Sequence, residues 1–223
     1  MRIDEVPPVI DVHDPHEPIH GWRDFFIHLF TITIGLLIAL GLEGCVEWQH
    51  HRHLVHEAQA SLHAEIQNNA KSLPDTIAAL HKQQDMLKRD VTVLKYIIKN
   101  KKPPQHSSLE VNFSTHTFNN VSWKTAQATT ALSYMSYPQA EEYSNIYATQ
   151  AELEAAEHQA ERDAIISLSP LLSVSDDDVD PTEGQAAPMK QKMQILQGQL
   201  ILVDSLLKGL DQEYKQFLSA HPG

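Results

Sequence analysis

A cluster of imidazole and carboxylate side chains lies around position 50. Its members are Glu47, His50, His51, His53, His56, Glu57 and His63. Residues three or four apart share one face of a helix, so Glu47 can meet His50, and His53 can meet His56. Imidazole nitrogens and carboxylate oxygens are common ligands of zinc. The spacing therefore admits a metal site formed by Glu47, His50, His51, His53 and His56.

Two other interpretations fit the same cluster. Each helical pair supplies two metal ligands, and no third and fourth ligands follow at a fixed spacing. The residues can instead be polar side chains at a membrane interface. They can also sense protons, because imidazoles titrate near neutral pH.

No other motif indicates catalysis. Asp176, Asp178 and Asp180 have the spacing that opens a calcium-binding loop, but Pro181 occupies the position that needs Gly, and Ala187 stands where the loop needs Glu. The chain has no nucleophile elbow, phosphate loop, metalloprotease pair or dinucleotide fingerprint. We therefore expect neither enzymatic activity nor a cofactor.

The apolar stretch Phe25–Leu42 precedes the cluster. As a helix it covers about 27 Å, close to the roughly 30 Å hydrocarbon core of a bilayer. Trp22 and Trp48 flank it about 39 Å apart, which matches the distance between the two headgroup layers, where tryptophan is enriched. We predict a single transmembrane helix over residues 25–44, in contact with the lipid bilayer, with Trp22 and Trp48 at its interfaces.

Three alternatives exist for this stretch. It can be a buried core helix. It can be a signal peptide, although those have an apolar region of about 7–15 residues after a short basic segment. Finally, residues 42–45 resemble a degraded lipoprotein cleavage box, in which Cys45 would carry the lipid and Glu43 replaces a small or apolar residue.

Small residues repeat every four positions within the span, at Thr31, Gly35 and Ala39. Small side chains at this spacing let two membrane helices approach closely. We expect this face to support helix–helix packing, either in a homo-oligomer or with another membrane protein.

Basic residues near the span set the expected orientation. Arg2 and Arg23 precede it and Arg52 follows it, and Lys and Arg concentrate on the cytoplasmic side. We expect the N-terminus inside and residues 49–223 outside the cytoplasm. The formal net charge of −12 argues against nucleic acid as a partner.

The remaining chain divides by composition and periodicity. Residues 1–24 are rich in Pro, acids and His, which cannot supply a core, so we predict a disordered tail. Residues 45–223 form one predicted helical domain, in which Pro74 kinks the first helix. Apolar residues recur there at steps of three and four, most clearly from Met189 to Phe217. The predicted helices span about 45–101, 122–134, 138–168 and 187–219.

We therefore predict an all-α fold. The transmembrane helix continues into a long kinked helix, and two further long helices pack with it as an elongated antiparallel bundle or coiled coil.

Residues 13–69 and 122–150 resemble parts of a group of uncharacterised bacterial membrane proteins. Those proteins have a His-rich tail, a short apolar span and a helix rich in Glu, Arg and His. The resemblance implies a single-pass protein of the bacterial inner membrane. It carries no known activity, so no functional residue follows from it.

Two functions fit these expectations. The first is a non-enzymatic, membrane-anchored protein that acts in protein–protein interaction or scaffolding, suggested by the long heptad pattern and the small-residue face. The second is a membrane-anchored sensor or binding module for a metal, protons or a small ligand, suggested by the histidines.

Overall fold

The computed structural model describes residues 21–105, 109, 113, 115–172 and 181–222. These residues contain no strand, so the all-α prediction is confirmed. Contacts divide the chain into two units, Met1–His50 and His51–Gly223. The helical elements are α1 (Trp22–Asn100), α2 (Val121–Ala128), a 3-10 helix (Ala131–Tyr134), α3 (Tyr137–Leu172) and α4 (Glu183–Ala220).

The first unit contains the start of α1. This helix begins at Trp22, so residues 22–24 are helical rather than part of the predicted tail, and residues 1–20 lie outside the described residues. All of residues 21–50 are exposed. An 18-residue window of the helix is apolar enough to span a membrane, and none of it is buried. A helix buried in the core of the chain is thereby excluded.

The second unit contains the rest of α1, residues 51–100, which buries one face. Pro74 lies inside this continuous helix with its ring exposed, so the buried pattern passes it without a change of phase. α1 therefore continues through the proline instead of forming a hairpin. Eleven of its thirteen buried residues alternate at steps of four and three, and Glu65 and Val91 lie beside them: Leu62, Ile66, Asn69, Leu73, Thr76, Leu80, Gln83, Leu87, Asp90, Leu94 and Ile97.

The same spacing governs the two later helices. Buried residues recur along α3 from Tyr143 to Ser167 and along α4 from Ala186 to Phe217. α4 begins four residues earlier than predicted, because the backbone N–H of Thr182 donates to Gln185 Oε1 (2.9 Å) in a capping box.

α4 packs against α1 in the antiparallel direction. The Lys101 ammonium, just after α1, pairs with Glu183 at the start of α4. His63, much earlier in α1, donates to the carbonyl oxygen of His221 just after α4 (2.8 Å). The predicted packing of the last helix on the first is therefore confirmed.

α4 also packs against α3 in the antiparallel direction. Thr149, in the first half of α3, donates to Glu213 near the end of α4 (2.9 Å). Lys192, in the first half of α4, donates to the carbonyl oxygen of Ile166 near the end of α3 (3.2 Å). α1 and α3 consequently run in the same direction.

The crossover segment, residues 115–120, is neither helix nor strand. Asn69 of α1 holds it in place: its amide donates to the carbonyl oxygen of Asn119 (2.8 Å) and accepts from the Asn119 N–H (3.0 Å). A polar residue in the buried stripe thus satisfies backbone groups that have no partner in regular secondary structure. The helix predicted over 122–134 is divided, because Thr130 adopts a left-handed conformation (φ 59°).

Candidate functional site at a histidine groove

A groove of about 420 Å³ opens on the second unit where α1, α3 and the end of α4 meet. α1 contributes His56 and His63, α3 contributes Glu142, and His221 follows the last residue of α4. Antiparallel packing brings these residues together, because it places the C-terminal end of α4 beside the N-terminal ends of α3 and of the bundle part of α1. Three imidazoles and one carboxylate therefore line a single concave surface.

Two hydrogen bonds determine which ring nitrogen of His63 and of His221 carries the proton. His63 Nε2 donates to the carbonyl oxygen of His221 (2.8 Å), and His221 Nε2 lies 2.9 Å from Glu142 Oε2. A carbonyl and a carboxylate accept, so Nε2 carries the proton in both rings. In the neutral rings Nδ1 is then the acceptor.

Aromatic side chains form the base of this site. Phe217 is buried, and its ring centroid lies 5.8 Å from that of His63, 4.8 Å from that of His221 and 5.3 Å from that of Tyr143. Burial raises the pKa of Tyr143 to about 12, and the neighbouring Glu142 adds to the increase. Tyr143 therefore stays protonated at neutral pH.

The groove offers hydrogen-bond donors, acceptors and proton-binding nitrogens. Within the described part of the chain, no three or more His, Cys, Asp or Glu side chains are placed to hold a metal ion.

Comparisons with protein-family models, with curated proteins and with solved structures found no match. Functional inference therefore rests on the geometry of this chain.

The residues of the predicted metal site fall in both units. Glu47 and His50 belong to the first unit, whereas His51, His53 and His56 belong to the second. All but His51 are exposed. A metal site formed by all five stays a prediction.

Within the second unit these histidines have separate surroundings. The ring of His51 stacks on Tyr134, with centroids 3.7 Å apart and 16° between the planes. His53 lies 3.1 Å from Glu57, one turn later on the same helix. His56 lines the groove. His51, His56 and His63 therefore each lie beside residues that are far away in sequence.

The predicted membrane residues all lie on the exposed part of α1. Trp22 is 77% exposed and Trp48 is 63% exposed. The Thr31 hydroxyl donates to the carbonyl oxygen of Ile27 (2.9 Å), so this polar group is satisfied within the helix. A Cβ added at Gly35 would meet nothing within 4 Å. The face formed by Thr31, Gly35 and Ala39 is therefore open to a second helix, and its use in packing stays a prediction.

A second polar site lies inside the bundle, and the sequence did not predict it. Glu65 of α1 is only 5% exposed. Its Oε1 accepts from the Tyr147 hydroxyl (2.7 Å), and its Oε2 accepts from the backbone N–H of Ser122 in the first turn of α2 (2.8 Å). An anionic acceptor at a helix N-terminus is favourable. Glu65 therefore joins α1, α2 and α3.

Tyr147 is the donor that completes this site. Burial raises the pKa of Tyr147 well above its ordinary value, and the hydrogen bond to Glu65 raises it further. The ring also stacks on Trp123, with centroids 4.9 Å apart and 8° between the planes. The tyrosine thus stays protonated as a donor, which suits a structural role for the Glu65 site.

Glu142 and His221 are the groove residues that sequence reasoning missed. Neither lies near the histidine cluster in sequence, and neither belongs to a recognisable motif. The apolar repeats of the first and last helices could have indicated His221. If these two helices are paired antiparallel, the end of α4 lies beside residues 56–63.

Proposed function

We propose that this is a non-enzymatic, membrane-anchored helical-bundle protein that acts in protein–protein interaction or scaffolding. We place it in the bacterial inner membrane with the bundle outside the cytoplasm, following the arginine distribution and the family resemblance described above. The main observation in favour is that the apolar stretch at the start of α1 is fully exposed.

The exposed apolar surface supports the anchor. Phe25, Phe30, Leu36 and Leu40 are each 45–67% exposed, and no described residue of the chain covers them. Such a continuous apolar surface is unfavourable in water and favourable in lipid. Local hydrogen bonds support this as well, since the hydroxyls of Thr31 and Thr33 donate within the helix.

The packing of the bundle supports a surface function. Two small cavities beside Glu157 have volumes of about 10 Å³ each, which is no more than one water molecule needs. A ligand inside these parts of the bundle would require repacking. We therefore propose that the bundle acts through its outer faces.

Charged substitutions in the apolar stretch test the anchor. We expect Leu36→Arg/Leu40→Arg to move the full chain from the membrane fraction to the soluble fraction, because each Arg in mid-span costs roughly 2.5–3.5 kcal/mol. Ile195→Arg/Leu202→Arg is the matched control, since those side chains are also about half exposed but lie on α4. Equal release of both variants from membranes would contradict the anchor.

Crosslinking in native-like membranes tests the interaction. We expect a short lysine-reactive crosslinker to trap a homo-oligomer or a complex with a membrane protein, because the small-residue face and the outer faces of the bundle are exposed. If only monomer is recovered at native expression levels, the scaffold proposal fails.

A second candidate is a sensor of protons or of a small polar ligand, favoured by the groove of His56, His63 and His221. We expect hydrogen exchange of residues 217–222 to change between pH 7.5 and 5.5, because histidine is the side chain that commonly changes its charge in this range in proteins. Replacing these three histidines by Asn would abolish the change, whereas His158→Asn, at an exposed histidine elsewhere on α3, would leave it. Persistence of the change in the triple variant would remove the groove from consideration.

A further inference from the structure

The second half of α1 is strongly basic in an acidic protein. The whole chain carries a formal net charge of −12, yet residues 82–102 contain seven Lys and Arg and only two Asp. One of these acids, Asp90, is buried. We define the basic face as the exposed cationic residues Lys82, Lys88, Arg89, Lys95, Lys99 and Lys102.

The basic face follows the outer side of the helix. Lys82 and Arg89 are seven residues apart, as are Lys88 and Lys95, so each pair forms a row along the helix axis. Tyr96, which is 41% exposed, continues the first row. From Lys82 to Lys99 the face extends about 25 Å along the helix.

Part of the charge of the basic face has no acidic partner among the residues that the structure describes. Lys88 pairs with Asp85 (3.0 Å), and this contact lowers the pKa of Asp85. Lys82, Lys95 and Lys99, by contrast, form no ion pair with any residue that the structure describes.

The helix dipole explains only part of the pattern. Cations are favourable in the last turn of a helix, and Lys99 lies there. Lys82, Lys88 and Arg89 lie three or more turns from the helix end, where the dipole has no effect. Solvation alone does not require one sign of charge over this length.

A second copy of the chain is a poor match to the basic face. The exposed acids of α3 are Glu141, Glu152 and Glu154. The Thr149–Glu213 contact and the antiparallel packing of α4 on α1 place these acids level with the part of α1 that precedes Lys82. In two parallel bundles side by side, acidic and basic stretches would therefore be out of register.

We propose that the basic face docks an acidic polypeptide segment of a partner protein. This rests on the proposed interaction function and names the chemistry of its partner. Carboxylates spaced along one segment would meet the two cationic rows, and the exposed Tyr96 at the end of the first row would provide apolar contact and a hydrogen-bonding hydroxyl. A lysine ammonium is a mobile point charge, whereas an arginine guanidinium binds a carboxylate through two hydrogen bonds of fixed geometry. Recognition by a lysine-rich face therefore depends mainly on the spacing of the carboxylates along the partner.

A glutamate peptide tests this assignment. The full chain is placed in nanodiscs of zwitterionic lipid at physiological ionic strength, and binding of a fluorescent peptide of consecutive Glu residues is measured by anisotropy. We expect Lys95→Glu/Lys99→Glu to weaken binding by about tenfold or more. The matched control is Lys71→Glu/Lys124→Glu, which changes the net charge equally at exposed lysines outside the face and should change binding by about twofold at most.

Three results would overturn the docking proposal. They are equal weakening by both double variants, no binding to the wild-type chain, and tighter binding of inorganic polyphosphate of equal charge, which would assign the face to a phosphate polymer. Far-UV circular dichroism must show equal helicity in all variants. Membrane fractionation does not involve these lysines, and crosslinking is carried out on the wild-type chain, so failure here is distinguishable from failure of the proposed function.

Discussion

The two parts of α1 present opposite surfaces. Before His50 the apolar side chains surround the helix, so Leu36 and Leu37 are 59% and 62% exposed. After it, apolar side chains occupy one stripe, so Leu73 is fully buried, whereas lysines occupy the opposite side. One helix thus contains a part that is apolar enough to span a membrane and a part that packs against other helices of the chain. The arrangement of apolar residues around the axis, rather than their number, decides which surroundings each part fits.

Polar groups in the two parts are satisfied differently. Thr31 and Thr33 donate to carbonyl oxygens one turn earlier in the same helix. Glu65 and Asn69 instead bond to groups on other elements. The hydroxyls of Thr31 and Thr33 therefore need no neighbouring element. Glu65 and Asn69, by contrast, help to specify where α2, α3 and the crossover segment lie.

The same substitution in both regions should have very different effects. Leu207 is fully buried in α4, whereas Leu36 is 59% exposed. We expect Leu207→Ala to lower the free energy of unfolding of the bundle by about 2–5 kcal/mol, since it removes packed methyl groups and leaves a cavity. Leu36→Ala should change it by less than about 0.5 kcal/mol. Urea unfolding of the full chain in micelles measures both.

Trp123 fluorescence can report this unfolding specifically, because its ring stacks on Tyr147 inside the bundle. Replacing Trp22 and Trp48 by Phe removes the other two tryptophans. Equal destabilisation by the two Leu→Ala changes would show that the first part of α1 also packs against protein.

Polar substitutions sharpen the comparison with a smaller effect. Glu65→Ala leaves the Tyr147 hydroxyl and the Ser122 N–H without their acceptors, so we expect a loss of about 2–4 kcal/mol. Glu65→Gln keeps one acceptor oxygen and should lose about half as much. Thr31→Val, in the exposed part, should leave bundle unfolding unchanged. A loss in Glu65→Ala no greater than in Glu65→Gln would show that the acceptor is dispensable.

The helical periodicity of the apolar residues predicted most of the fold. The stripe from Met189 to Phe217 predicted the buried face of α4 because each of its apolar residues had to face a neighbour. It failed at residues 122–134, where Thr130 adopts a backbone conformation that apolar spacing does not encode. It also failed at the start of α4, where Thr182 and Gln185 form a cap outside the apolar repeat.

The same periodicity predicted little of the candidate site. His56 and His63 attracted attention as members of a cluster, but Glu142 and His221 reach the groove through the packing of three helices. Glu65 lies next to Ile66, at the edge of the buried stripe, and its hydrogen-bond donors come from α2 and α3. Sites built from distant elements require the packing, which a single periodic pattern does not give.

The smallest expected effect is the pH dependence of stability. The two regions should differ in it, because residues 21–50 are all exposed whereas the bundle buries Glu157. Burial raises the pKa of Glu157 to about 7 from an ordinary value of 4.5, although the backbone of His116 and the nearby His158 oppose the increase. Between these two values the folded protein holds a proton that the unfolded chain has lost. Stability from this group therefore falls as pH rises from 4.5 to 7.

Glu157→Gln isolates this contribution because it keeps the size of the side chain and an acceptor oxygen for His116. We expect the variant to be more stable than the wild-type chain by about 1–3 kcal/mol above pH 7. The difference should shrink as pH falls and approach zero about one unit below pH 4.5, where both the folded and unfolded chains carry the proton. The measurement is urea unfolding of both proteins at several pH values. An identical pH dependence in the two proteins would mean that Glu157 is solvated in the folded state, and that the bundle is as open to water at this point as the surface of the first unit.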